Sequence, residues 1–316
     1  MRSPRLKEDK LVKMVNTYLR GREESTMNTY QSAYRRLVEL CEKCGASVFD
    51  LCEERRCEIW MEAREAGLSV ATIRVVSAVV SMIREEMGIK EDASGRERTL
   101  KRSLAKEKNL EKKRKKKRRA GTIGDVKALV KEARRSGDKG DWHTSAMAVM
   151  CFFGCRRLGD LLRVRVEDVT WEEENVQVYL RRHKTDVENE GSQFSMVGRG
   201  RAFDIRGFLL EYLARMGVSG KQAVFPKSLG KGDKRVAVSY SMLYQSLEDM
   251  KTRLGLDETL KWHSFRIGAA TRGNGLGVRR TVVKAAGMWR SSVVDQYCRD
   301  EEPGVVLSEA LANSWV

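Results

Sequence analysis

Histidine is scarce in this chain. There are three in 316 residues, His143, His183 and His263, so each can be weighed on its own. Long apolar runs are missing too: no stretch approaches the roughly 18 uninterrupted apolar residues of a membrane-spanning helix. The opening "MRSPRLKEDKLVKMV" contains no apolar core of the secretory type, so an exported protein is not expected. Nor do aspartates and glutamates cluster at metal-binding spacing. Negative charge is in deficit: 44 acids face 61 lysines and arginines, for a net charge of +17 and a pI near 9.7. Such a field selects polyanionic partners, and without a membrane segment nucleic acid is favoured over lipid. The seven cysteines are an odd number, which fits reduced thiols in an intracellular compartment better than a disulfide framework. "CEKC" at 41–44 has a zinc-like spacing. Cys41 and Cys44 also continue the apolar stripe of Tyr34, Leu37 and Leu40, so they read as small buried hydrophobes and no metal site is assigned.

What is present divides by composition. Residues 1–99 carry no strand signal and read as a helical bundle. "STMNTYQSAYRRLVELCEKCG" has helical spacing between a possible Ser25 cap and Gly45, and "LCEERRCEIWMEAREAG" and "SVATIRVVSAVVSMIREEMG" each end at a glycine. Residues 100–120 form a basic linker. Its block Lys112, Lys113, Arg114, Lys115, Lys116, Lys117, Arg118 and Arg119 contains no apolar residue and cannot build a core. The block suits a solvated linker, an arm that tracks a phosphate backbone, or a nuclear import signal. From 121 to 316 the pattern is again mainly helical, opening with a capping-box-like Thr122 and Asp125. A small antiparallel sheet interrupts it, with "NVQVYLRRHKTD" pairing to "SQFSMV" across a turn at Glu188–Gly191. No internal repeat is visible.

Four stretches of this second region carry chemistry. In "FFGCRRLGDLLRVRVEDV", Arg157 and Asp160 stand one helical turn apart, so the carboxylate can orient the guanidinium. "LRRHKTD" places Lys184 at the tip end of a strand. "LKWHSFRIGAATR" sets His263 three residues before Arg266 on one helix face, with Gly268, Ala269 and Ala270 allowing a close neighbour. "GMWRSSVVDQYC" has Trp289 eight residues before Tyr297. Each residue alone is more often structural than catalytic. Together they suit phosphoryl transfer. Two planar guanidinium groups match the non-bridging oxygens of a phosphodiester. A tyrosine hydroxyl can attack phosphorus, and because its pKa lies near 10 it needs a base or a strong positive potential. A histidine can share that proton, a lysine can protonate the leaving oxygen, and fixed cations meet the charge of the phosphorane. No cofactor is called for.

In order and context these positions resemble the tyrosine recombinase (phage integrase) family. "GCRRLGDLL" is similar to its first-arginine motif, "HKTD" to its hairpin lysine, "HSFRIGAAT" to its His-x-x-Arg helix and "GMWRSSVVDQYCR" to its nucleophile segment. The tryptophan and the eight-residue step to Tyr297 look most like the recombinases of eukaryotic crypton and DIRS-type mobile elements. "GMW" departs from the commoner Gly-Arg-Trp, and Arg156 beside Arg157 offers a rival first arginine, with Asp160 favouring Arg157. The resemblance implies a SAM-like core-binding bundle and a mostly helical catalytic domain with a small sheet. It implies Arg157, Lys184, His263, Arg266, Trp289 and Tyr297 as catalytic residues, with Asp160 as support. It also implies double-stranded DNA and further copies of the chain, four on two DNA sites, as partners. The tail "EEPGVVLSEALANSWV" has an apolar stripe that would dock on a neighbouring protomer or fold back on its own domain. A eukaryotic host would place the protein in the nucleus. A type IB topoisomerase-like relaxase and a domesticated DNA-binding regulator are the alternatives. No catalytic position is missing, which speaks against the second.

Overall fold

The computed structural model describes residues 24–48, 52–86, 88–89, 95–97, 99–100, 102–103, 106, 118–182, 190–198, 200, 203–227 and 236–289. The chain forms two compact units, Met1–Lys116 and Lys117–Val316.

The first unit is a helical bundle of α1 (Glu24–Lys43), α2 (Glu53–Glu65) and α3 (Val70–Glu86). α1 already includes Ser25, so that serine is not its cap. The apolar stripes meet in a core of Leu37, Ile59, Trp60, Ile73, Val76 and Val79, in which Cys41 is buried and against which Cys44 packs. Burial is the main reason the Cys41 thiol pKa rises to about 11, so it behaves as an inert hydrophobe. Arg56 is buried as well. Its charge is met by Glu97, whose carboxylate accepts from Arg56 Nε at 2.8 Å.

The second unit is built around α5 (Lys139–Phe153), whose residues from Asp141 to Phe152 are all buried. A helix this apolar on every side must be covered, and α4 (Ile123–Ser136), α7 (Ile205–Met216), α8 (Tyr240–Leu254) and α9 (Trp262–Gly275) pack around it. α4 begins at a capping box in which Thr122 and Asp125 satisfy each other's backbone donors. His143, on α5, is fully interior. Its Nε2 donates to the Pro226 carbonyl at 3.1 Å and its Nδ1 lies 2.8 Å from the Tyr212 hydroxyl, so this histidine is structural.

The sheet is antiparallel in the order β1 (Val169–Trp171), β2 (Asn175–Leu180), β3 (Ser192–Val197). β2 and β3 pair in the register Val178↔Phe194 and Leu180↔Ser192. β1 is a short edge strand that the sequence pattern does not reveal, since three residues cannot show a period of two. A short helix, α6 (Leu158–Leu161), leads into the sheet, and α10 (Arg280–Ala286) follows α9. The second unit is thus mainly helical with a small antiparallel sheet, as the sequence pattern predicts.

Candidate active site

Arg266 is the centre of the site. It is one of the largest fully buried side chains, 1% exposed, although it is a cation. Three contacts hold it. Nη1 donates to the Cys155 carbonyl at 3.1 Å, Nη2 donates to the Gly287 carbonyl at 2.6 Å, and the guanidinium lies 4.1 Å from the Trp289 ring centroid. Its Nε has no hydrogen-bond partner among the described residues. Burial pushes its pKa down to about 10, and the nearby Arg157 adds to the fall. A buried cation beside other cations is strongly disposed to take an anion.

The backbone is bent to serve this residue. Cys155 and Met288 are the two non-glycine residues with positive φ among the described ones, each at 53°. One supplies a carbonyl to Arg266 and the other follows the residue that does. Left-handed backbone at a residue with a Cβ costs of the order of 1–3 kcal/mol and persists where surrounding structure imposes it. Gly287 has its own reason: a Cβ there would lie 1.9 Å from the Trp289 ring.

Arg157 is the N-cap residue of α6, and its Nη1 lies 3.8 Å from Asp160. Asp160 is buried while the arginine is partly exposed, so the acid anchors one edge of the guanidinium and leaves the rest toward solvent. The neighbouring Arg156 points elsewhere. It is 3% exposed and its guanidinium stacks 4.3 Å from the Phe194 ring centroid on β3. Of the two adjacent arginines, Arg157 is therefore the one available to a ligand.

His263 and Arg266 lie on α9, as their spacing predicts. The small residues behind them have a specific task. The Gly121 N–H donates to the Ser264 carbonyl at 2.7 Å, and a Cβ on Gly268 would sit 1.8 Å from the Gly121 carbonyl oxygen. So the chain entering α4 is pressed against the turn of α9 that carries His263. Ala270 is buried with Cys155, Val283 and Trp289 in a small apolar cluster under the arginine. The His263 pKa is depressed to about 4, chiefly by burial, then by the charges of Arg266, Arg118 and Arg157. The imidazole is neutral near pH 7 and can accept a proton.

Arg157, Asp160, His263, Arg266 and Trp289 are thus brought together from three separate stretches. Ser192, the first residue of β3, donates through its hydroxyl to Met288 Sδ at 3.4 Å, so the stalk of the β2–β3 hairpin adjoins the Trp289 turn. Lys184, in the β2–β3 connection, Tyr297, and the tail lie outside the described residues, as do Lys112, Lys113, Arg114, Lys115, Lys116 and Lys117. Arg119, grouped by composition with that basic block, is engaged internally. It forms a bidentate pair with Asp125 at 2.6 and 2.8 Å, and its Nε lies 3.4 Å from Asp257. The sequence pattern does not distinguish Arg118 from the rest of the block, nor show that Arg156 is buried.

No family model matches the sequence, and no curated protein sequence does. Solved structures do match in fold. XerH site-specific recombinase bound to a palindromic difH substrate, in a post-cleavage complex, superposes with TM-score 0.63 at 15% identity, over 91% of this chain and 80% of that one. The Tn1549 transposon integrase with circular intermediate DNA gives 0.62 at 14%, over 95% and 98%. A lambda integrase dimer bound to a COC′ core site gives 0.60 at 14%, over 93% and 77%. At such identities the likeness is one of fold.

Proposed function

We propose that this chain is a site-specific DNA recombinase that cuts and rejoins duplex DNA through a 3′-phosphotyrosyl intermediate, in the service of a mobile element. The observation that carries the reading is the proximity of Arg157, His263 and Arg266, close enough for the arginine charges to act on the imidazole and on each other, with Asp160 3.8 Å from the Arg157 guanidinium. Such an arrangement suits one phosphodiester. The fold adds support, because XerH and lambda integrase, which share it, are bound to DNA.

In this reading Arg157 and Arg266 take the two non-bridging oxygens of the scissile phosphate. The Tyr297 hydroxyl oxygen attacks phosphorus. Its proton passes toward neutral His263. The phosphate anion offsets the field of the surrounding arginines and so raises the affinity of the imidazole for that proton. The bond from phosphorus to the 5′-oxygen breaks, and Lys184 protonates that oxygen as it leaves. A 5′-hydroxyl from a second duplex then attacks the phosphotyrosine in reverse, freeing Tyr297. One ester replaces another, so the sequence balances without an external energy source. Four protomers on two sites, the core-binding role of the first unit, and nuclear entry in a eukaryotic host complete the proposal. The crypton and DIRS-type resemblance rests on Trp289 and the step to Tyr297.

The test is a suicide duplex, nicked so that cleavage releases a short fragment and traps the protein. A covalent protein–DNA band from the wild type that Tyr297→Phe abolishes is the expected result. Relaxation of supercoiled plasmid without strand exchange would instead favour a relaxase, and binding without any covalent species a regulator.

A further inference from the structure

The two arginines that end the basic block have different fates. Arg119 is locked to Asp125, which also accepts from the Thr122 backbone N–H at 2.7 Å and the Thr122 hydroxyl at 2.8 Å. The next glycine, Gly121, is hydrogen-bonded to Ser264 and pressed on Gly268. Residues 119–122 are therefore pinned from two sides, and the pin on α9 is the residue immediately after His263. Arg118 stands exposed at the head of this fixed turn. Its backbone is tethered by the Arg119 ion pair beside it and, three residues on, by the Gly121 hydrogen bond to Ser264 at the start of α9.

We propose that Arg118 is a third arginine of the site, serving with Arg157 and Arg266 to hold the scissile phosphate rather than tracking the DNA backbone nonspecifically. This rests on the recombinase reading and extends it to a residue that the motif pattern does not include.

The electrostatics agree. Among the described residues, the charges that act on His263 are those of Arg266 from its own helix, Arg118 from the segment before α4 and Arg157 from the start of α6. After burial and Arg266, Arg118 acts on the imidazole more strongly than Arg157 does. Arg118 also acts on the phenol of Tyr240, at the start of α8, lowering its pKa against the rise caused by burial and Tyr244. Arg118 is therefore near enough to both His263 and Tyr240 for its charge to act on each. A guanidinium there meets the phosphate from the open side, where Arg266 meets it from the buried side.

Two measurements test this, with Arg118→Gln as the variant because the side chain is exposed. In the free protein, the His263 pKa is followed by NMR titration of the imidazole resonances. It should rise by about half a unit or more when the charge is removed, while that of His143 stays put. An unchanged His263 pKa overturns the placement, and this arm needs no catalysis. In single-turnover cleavage, Arg118→Gln should slow a phosphodiester suicide duplex by about tenfold or more. It should have little effect on a duplex with a neutral methylphosphonate at the scissile position. Equal slowing of both substrates, or a loss confined to salt-dependent affinity as for Lys115→Gln, contradicts the role. Absence of cleavage by the wild type would sink the recombinase reading, while the titration would still decide the position of Arg118.

Discussion

Trp289 lies flat against Arg266, its ring centroid 4.1 Å from the guanidinium carbon, and both side chains are buried. The tryptophan thus supports the arginine from one side while the Cys155 and Gly287 carbonyls fix its edge.

Replacing Arg266 by lysine keeps the charge but removes the planar stack and the fork. Cleavage should fall by on the order of 10²–10³, the usual cost of losing one preformed transition-state donor, with far less effect on DNA affinity. Single-turnover rates set beside gel-shift affinities check this. Equal losses in both would indicate simple phosphate anchoring.

The close approach of Gly268 to Gly121 should be intolerant of a single methyl. Gly268→Ala must displace a backbone carbonyl, and a cost of about 1–3 kcal/mol is expected from urea unfolding. Gly159→Ala is the control: a Cβ there meets nothing within 4 Å, and its effect should stay within about 0.5 kcal/mol.

His263 should couple stability to pH. Its pKa falls from 6.5 to about 4 on folding. As acid is added, the unfolded chain takes up the proton first, so stability drops between about pH 6.5 and about pH 4 and then levels off. At about 1.4 kcal/mol per pKa unit, and allowing for partial exposure, this residue accounts for on the order of 2 kcal/mol. His143 shifts in the same direction, so His263→Asn should flatten the stability–pH curve in this window without abolishing its slope. Unfolding curves of wild type and variant at several pH values decide it; superimposable slopes would refute it.

The basic block should divide by function. Replacing Lys115, Lys116 and Lys117 with glutamine should weaken binding to all DNA alike, lowering the log–log salt slope by up to about 0.9 for each phosphate no longer neutralised. Arg119→Gln should instead lower thermal stability, since it breaks the bidentate pair with Asp125. A salt slope changed by Arg119→Gln as much as by a lysine would contradict the division.

Much of the pocket was legible because its parts are local. Arg157 with Asp160, and His263 with Arg266, are pairs at helical spacing, and the β2–β3 hairpin follows from alternation. The bundle core was legible for the same reason: Leu37, Leu40 and Cys41 follow helical spacing. What the sequence hides is long-range. Nothing near Arg118 and Arg119 says that one pairs with Asp125 and Asp257 while the charge of the other acts on His263. The left-handed Cys155 and Met288 lie at and beside the carbonyls bonded to Arg266, which is 111 residues from the first of them. Arg156 finds Phe194 across the sheet, and no local pattern signals a cation stacked on a ring.

The most direct measurement is the identity of the residue joined to DNA in a trapped cleavage complex. The adduct is digested with protease and nuclease and the nucleotide-bearing peptide is sequenced by mass spectrometry. The nucleotide should be found on Tyr297, through its 3′-phosphate, and Arg157→Lys should reduce the yield without moving the position. A nucleotide on another residue, or joined through a 5′-phosphate, would contradict the account.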